Sequence, residues 1–216
     1  TCHKNEKDTV YRNHRCCWHR HYYFNGKNGR KNALQNQKML AVKKAERKKR
    51  DIIKNAIVYD SAKIAAFRNE FKIKVDEFDK DTIFVHKGSP KYINQNGIYP
   101  AFKFVNNRAD GLYINIQYCA DDWLFIDKYQ FLLDGESYDL IPFDVQRDNG
   151  EGEIWEWSSI HMDAGYIPFL EALKVSKKGK IRYVGKYSEV RDLSASQIKR
   201  LKEGYEYYAA MGGELK

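Results

Sequence analysis

Ile73-Lys74-Val75-Asp76-Glu77-Phe78-Asp79-Lys80-Asp81-Thr82-Ile83-Phe84-Val85-His86 is the stretch on which the reading of the fold turns. Its first part alternates apolar and polar residues, the two-residue period of a half-buried strand. Thr82 to His86 is β-branched and aromatic, and Asp79-Lys80-Asp81 between the two runs suits a short hairpin loop. Two antiparallel strands are expected here, with the apolar period changing near Lys72 from about 3.6 to 2.

Downstream, strands are expected at residues 101–105, 112–119, 124–132, 137–143, 153–157 and 180–184. Asn106-Asn107, Asp121-Asp122, Asp134-Gly135 and Asp148-Asn149-Gly150 supply the turns. Short strands joined by turns rather than helices imply an antiparallel sheet or sandwich. Two helices complete this part: one opened by Asp163 and ending at Gly179, and one introduced by Ser194 and Gln197 at capping-box spacing. In the second, Ile198, Leu201, Tyr205 and Tyr208 recur at helical intervals up to Gly212-Gly213. The fold class is therefore α+β: an antiparallel β-sheet or sandwich with C-terminal helices, preceded by a basic N-terminal helix.

Upstream, residues 32–71 lack Pro and Gly and are rich in helix formers. Ile53, Ile57, Ile64, Phe67 and Phe71 fall on one helical face, which must pack on something. Lys43, Lys44, Arg47, Lys48, Lys49 and Arg50 surround the preceding part, which should meet solvent or a polyanion. The net charge of +9 is not spread along the chain: residues 1–72 carry +13 and residues 73–216 carry −4. Such asymmetry points to a basic arm for nucleic acid or an anionic membrane surface, or else to a solvated linker. The expected organisation is a disordered or non-native extension at 1–38, a basic amphipathic helix or linker at 39–72 and a β-rich domain at 73–216. Met39 is a candidate start.

Residues 1–30 hold Cys2, Cys16 and Cys17 with His3, His14, His19 and His21, ligand types that zinc prefers. Their crowding into one stretch, without two short pairs separated by a loop, argues against a zinc site. No cofactor or metal is expected, and no run of about 18 apolar residues suggests a spanning helix. GxSxG, HExxH, P-loop and dinucleotide fingerprints are all missing, so the expectation is a protein that is not an enzyme.

The candidate ligand-binding residues are Trp123, Trp155, Trp157, Asp121 and Asp122. On a strand, Trp155 and Trp157 share one face and Ile154 and Glu156 the other. The two indoles form either a buried wall or an exposed stacking platform for a sugar, a base or a protein partner. Asp121 and Asp122 are explained by turn chemistry or by a shared acidic site, and Cys119 by a small core position.

Asp121-Asp122-Trp123-Leu124-Phe125-Ile126, Asp134-Gly135, Arg147-Asp148-Asn149-Gly150, Ile154-Trp155-Glu156-Trp157 and Ala209-Ala210-Met211-Gly212-Gly213 follow one another in an order that resembles a family of small uncharacterised bacterial domains. The resemblance covers residues 73–213. It implies a shared fold and a bacterial or phage source. In that family a charged, Lys- and Ala-rich linker precedes the domain, sometimes behind a lipoprotein leader. It therefore implies the bacterial cytoplasm or, with such a leader, the cell envelope, and it brings no activity with it. Two functions follow as expectations: a non-enzymatic binding or structural module on a charged helical arm, with a protein partner among its ligands, and a nucleic-acid-binding protein that uses the arm.

Overall fold

The computed structural model describes residues 35–48, 57–78 and 81–216. The chain divides into two units, Thr1–Ala56 and Ile57–Lys216. In the first, residues 35–48 form helix α1, and every one of them is exposed. Lys43, Lys44, Arg47 and Lys48 lie on it, whereas Lys49, Arg50, Ile53, the histidines and cysteines of residues 1–30 and the loop residues Asp79 and Lys80 lie outside the described residues.

The second unit begins upstream of the boundary expected at Lys72. Its helix α2 (Ser61–Phe67) is capped by Asp60, whose carboxylate accepts from the Lys63 amide at 3.1 Å. The backbone is not helical at residues 57–60, and Phe71 opens a strand, so the expected helix is not continuous to Phe71. An Asp-Ser pair competes with helix continuation by capping a new start. Ile64 and Phe67 nonetheless pack on the core, and the Asp60 amide donates to the Ala210 carbonyl at 2.9 Å.

Strands β1 (Phe71–Val75), β2 (Thr82–His86), β3 (Gly97–Val105), β4 (Arg108–Ala120), β8 (Glu153–His161) and β7 (Gln146–Gly150) pair in that order as one sheet. Strands β10 (Ser188–Leu193), β9 (Gly179–Gly185), β5 (Ile126–Leu133) and β6 (Glu136–Leu140) form a second. Every pairing is antiparallel, so the unit is α+β with two antiparallel sheets. Three tight hairpins hold the register. Asn106-Asn107 (φ 50° and 61°), Asp134-Gly135 (47° and 105°) and Glu151-Gly152 (54° and 88°) each place two residues at positive φ, the primed turn whose twist matches the strands it joins.

The third hairpin departs from the sequence reading. Asp148-Asn149-Gly150 is strand, paired with Glu153 to Trp155, and the turn lies at Glu151-Gly152. Strand β10 is not legible in the sequence, because the charges of Glu189 and Arg191 hide the alternation of an edge strand.

The inner face of the larger sheet is covered in two halves. Over β1 to β3 lies helix α4 (Ala195–Ala210), which starts with the Ser194/Gln197 capping box and buries Ile198, Leu201, Tyr207 and Tyr208. Tyr207 closes an aromatic cluster with Phe71 at 4.9 Å and Phe102 at 5.5 Å between ring centres. Over β4 and β8 lies the smaller sheet, joined through Tyr118 and Tyr183 at 5.1 Å and through the Ser158 hydroxyl, which donates to Tyr129 at 2.9 Å. Helix α3 (Ile167–Val175) follows Asp163 through one tighter turn and sets Phe169 against Phe131. Among the described residues no helix is long and apolar enough to cross a membrane.

Candidate functional site

Strand β8 separates its residues by parity. Ile154, Glu156, Ser158 and Ile160 point inward and are buried; Trp155 and Trp157 point outward and are half-buried. Trp123, in the segment between β4 and β5, instead packs against the core and stacks on Phe125 at 6.0 Å and 24°. Asp121 and Asp122 are exposed on the bend after β4.

Glu156 explains much of the Asp121 to Ile126 phrase. It is 0% exposed, and a buried carboxylate must be fully paired. One oxygen accepts the amides of Leu124 (2.8 Å) and Phe125 (3.0 Å); the other accepts that of Ile126 (2.8 Å) and the Arg147 Nε–H (2.9 Å). Arg147 also donates to the Ile126 carbonyl at 2.6 Å. This clamp ties the β4–β5 corner to β8 and holds Phe125 at φ 54°, an uncommon angle for an aromatic residue. Glu156 is therefore occupied inside the protein, while Glu153 is exposed on β8, where the Cys119 thiol reaches it at 3.8 Å. The acids Asp121, Asp122, Glu153 and Glu156 do not form one cluster.

On the outer face, Trp157 lies in register between Gln117 and Gln146, and Trp155 between Cys119 and Asp148. Gln117 donates to the Tyr99 hydroxyl at 3.3 Å, and Tyr113 meets the His161 ring at 5.1 Å. The result is a patch of Tyr99, Tyr113, Trp155 and Trp157 interleaved with amide, carboxylate and hydroxyl groups. Basic side chains on this face, Lys72, Lys74 and Lys103, stand on β1 and β3 rather than beside the tryptophans. Burial, reinforced by the Glu153 charge, pushes the Cys119 thiol up, which keeps it protonated and weakly nucleophilic.

A second polar cluster was missed by the sequence reading because its members lie far apart in the chain. Donor atoms of Glu70, His86 and Glu203 come within 4.8 Å of one another. His86 Nδ1 accepts the Gly88 amide at 2.9 Å, so its proton sits on Nε2, facing Glu203 at 3.3 Å. A metal would need the lone pair that this tautomer lacks at Nε2. The donor chemistry fits a neutral imidazole donating to the Glu203 carboxylate: burial lowers the His86 pKa, the Glu203 hydrogen bond opposes it, and the Arg200 charge lowers it further.

Comparison with protein-family models, curated proteins and solved structures finds no match to this chain.

Proposed function

We propose that Ile57–Lys216 is a non-enzymatic binding module that takes a neutral, hydroxyl-bearing ligand of the oligosaccharide class on the outer face of its larger sheet. The observation that carries this reading is the placement of Trp155 and Trp157 outside the core, neighbours on one strand, half-buried, with Gln146 and Asp148 exposed beside them. Flat apolar rings flanked by amides and carboxylates suit a sugar ring, whose C–H faces stack and whose hydroxyls donate and accept. A phosphate-bearing ligand would find no cation in register with either tryptophan. Titration of the full chain with a panel of neutral oligosaccharides, read by tryptophan fluorescence, should give a saturable change for at least one member. A flat response across the panel would overturn the reading.

A second reading rests on α1, whose complete exposure leaves Lys43, Lys44, Arg47 and Lys48 available to a polyanion. Binding by this helix, together with the basic residues Lys49 and Arg50 that follow it in the sequence, should weaken steeply with salt as condensed counterions are released. A chain lacking residues 1–51 should elute earlier from a DNA or RNA column than the full chain, and equal retention would exclude the arm. Flotation with anionic liposomes separates nucleic acid from a membrane surface as the arm's partner.

A further inference from the structure

We propose that a polar recess beside the start of α4 binds an oxyanion, a phosphate or carboxylate group, through the guanidinium of Arg200. The recess has a volume of about 560 Å³ and is lined by the β2–β3 connection (Gly88, Gln95), by Ser194 and Ser196, and by Arg200. It lies on different elements from the tryptophans, so it stands or falls independently of the outer-face reading.

Arg200 is the feature that asks for a ligand. The side chain is half-buried, and a guanidinium partly withdrawn from water usually has a carboxylate partner that makes up for the hydration it loses. Among the described residues no carboxylate oxygen lies within 4.0 Å of Arg200, although ten such ion pairs are formed elsewhere. Among the described residues its side chain makes one hydrogen bond, from Nη1 to the Ile98 carbonyl at 3.3 Å, and the Nε–H is shielded from solvent without an acceptor. Burial alone lowers its pKa, and no acidic neighbour offsets that effect. The nearby acid, Glu203, is engaged by His86 at 3.3 Å and by Lys199 at 3.5 Å.

The surroundings favour an anion rather than a displaced carboxylate of the chain itself. Gly88 lets the guanidinium lie flat on its backbone, since a Cβ there would sit 2.9 Å from both Nε and Nη2. Ser194 and Ser196 bring hydroxyls 2.9 Å apart to the same recess; the Ser194 hydroxyl is held by Gln197 in the capping box, which leaves the Ser196 hydroxyl as the one to donate. An oxyanion placed against Arg200 would accept from the guanidinium and from a serine hydroxyl together, the pairing that gives Arg its preference for phosphate and carboxylate.

The test is an NMR titration of the full chain with inorganic phosphate and, separately, with citrate, at constant ionic strength. Saturable shifts at Gly88, Ser196 and the Arg200 side chain are expected, with an affinity that falls about tenfold in Arg200→Lys and disappears in Arg200→Gln. The neighbouring exposed Lys199→Gln variant should bind as the parent does. Saturation by phosphate alone selects a tetrahedral anion, and by citrate alone a carboxylate. Shifts confined to residues 35–48, or binding undiminished in Arg200→Gln, overturn the proposal. Arg200→Lys keeps the charge, so it provides the affinity comparison should Arg200→Gln fail to fold.

Discussion

Glu156 shows how a residue that looks surface-bound by type becomes the centre of a corner. The sequence places it opposite the tryptophans, but its four partners come from β7 and from the segment after β4, which only the tertiary structure brings together. Glu156→Gln keeps the shape but replaces a two-oxygen acceptor by one oxygen and a donor aimed at donors. It should destabilise the domain by about 3 kcal/mol, read as a lower urea midpoint at unchanged slope. His86 carries a pH prediction. Its folded pKa lies below the usual value, mainly through burial, against Glu203 and with Arg200. Below about pH 6.5 the unfolded chain takes up a proton that the folded chain resists, so this contribution to stability is present above that pH and lost below it. Denaturation midpoints of the parent should fall between about pH 7 and 5.5 more steeply than those of His86→Gln. Equal slopes would remove His86 as the cause.

Among the elements, the legible ones are those whose local chemistry has one solution. Asn106-Asn107 and Asp134-Gly135 are turns because two successive positive φ angles suit few residues. Ser194 and Gln197 begin α4 because each satisfies an amide of the other. Strand β7 misled for the same reason, since Asn149-Gly150 has turn chemistry while the pairing with β8 puts the turn on Glu151-Gly152. Gly204, within α4, is legible only from the packing. A Cβ there would lie 2.3 Å from Pro100 of β3, so the helix reaches the sheet only because none is present. Gly204→Ala would gain about 1 kcal/mol in helix propensity, yet the forced separation should cost about 2 to 3 kcal/mol, and the variant should melt lower than the parent. A raised melting point would mean that α4 does not approach β3 so closely.

For the whole molecule, the sequence established the antiparallel α+β class and the division of charge, and left open which face of β8 the smaller sheet would cover. Alternation pairs Trp155 with Trp157 and Ile154 with Glu156, but residue type alone favours burying the indoles. The clamp on Glu156 reverses that preference by satisfying a buried carboxylate, which turns the tryptophans outward. The Arg200 recess was illegible because a loop after β2 and the first turns of α4 meet only in the assembled fold. The central claim, that Trp155 and Trp157 serve a ligand rather than the core, is tested most directly by the double variant Trp155→Ala/Trp157→Ala. Each half-buried ring outside the core should cost about 1 to 2 kcal/mol, so the variant should still melt cooperatively while losing saturable oligosaccharide binding. Loss of cooperative melting, or binding equal to that of the parent, would contradict the claim.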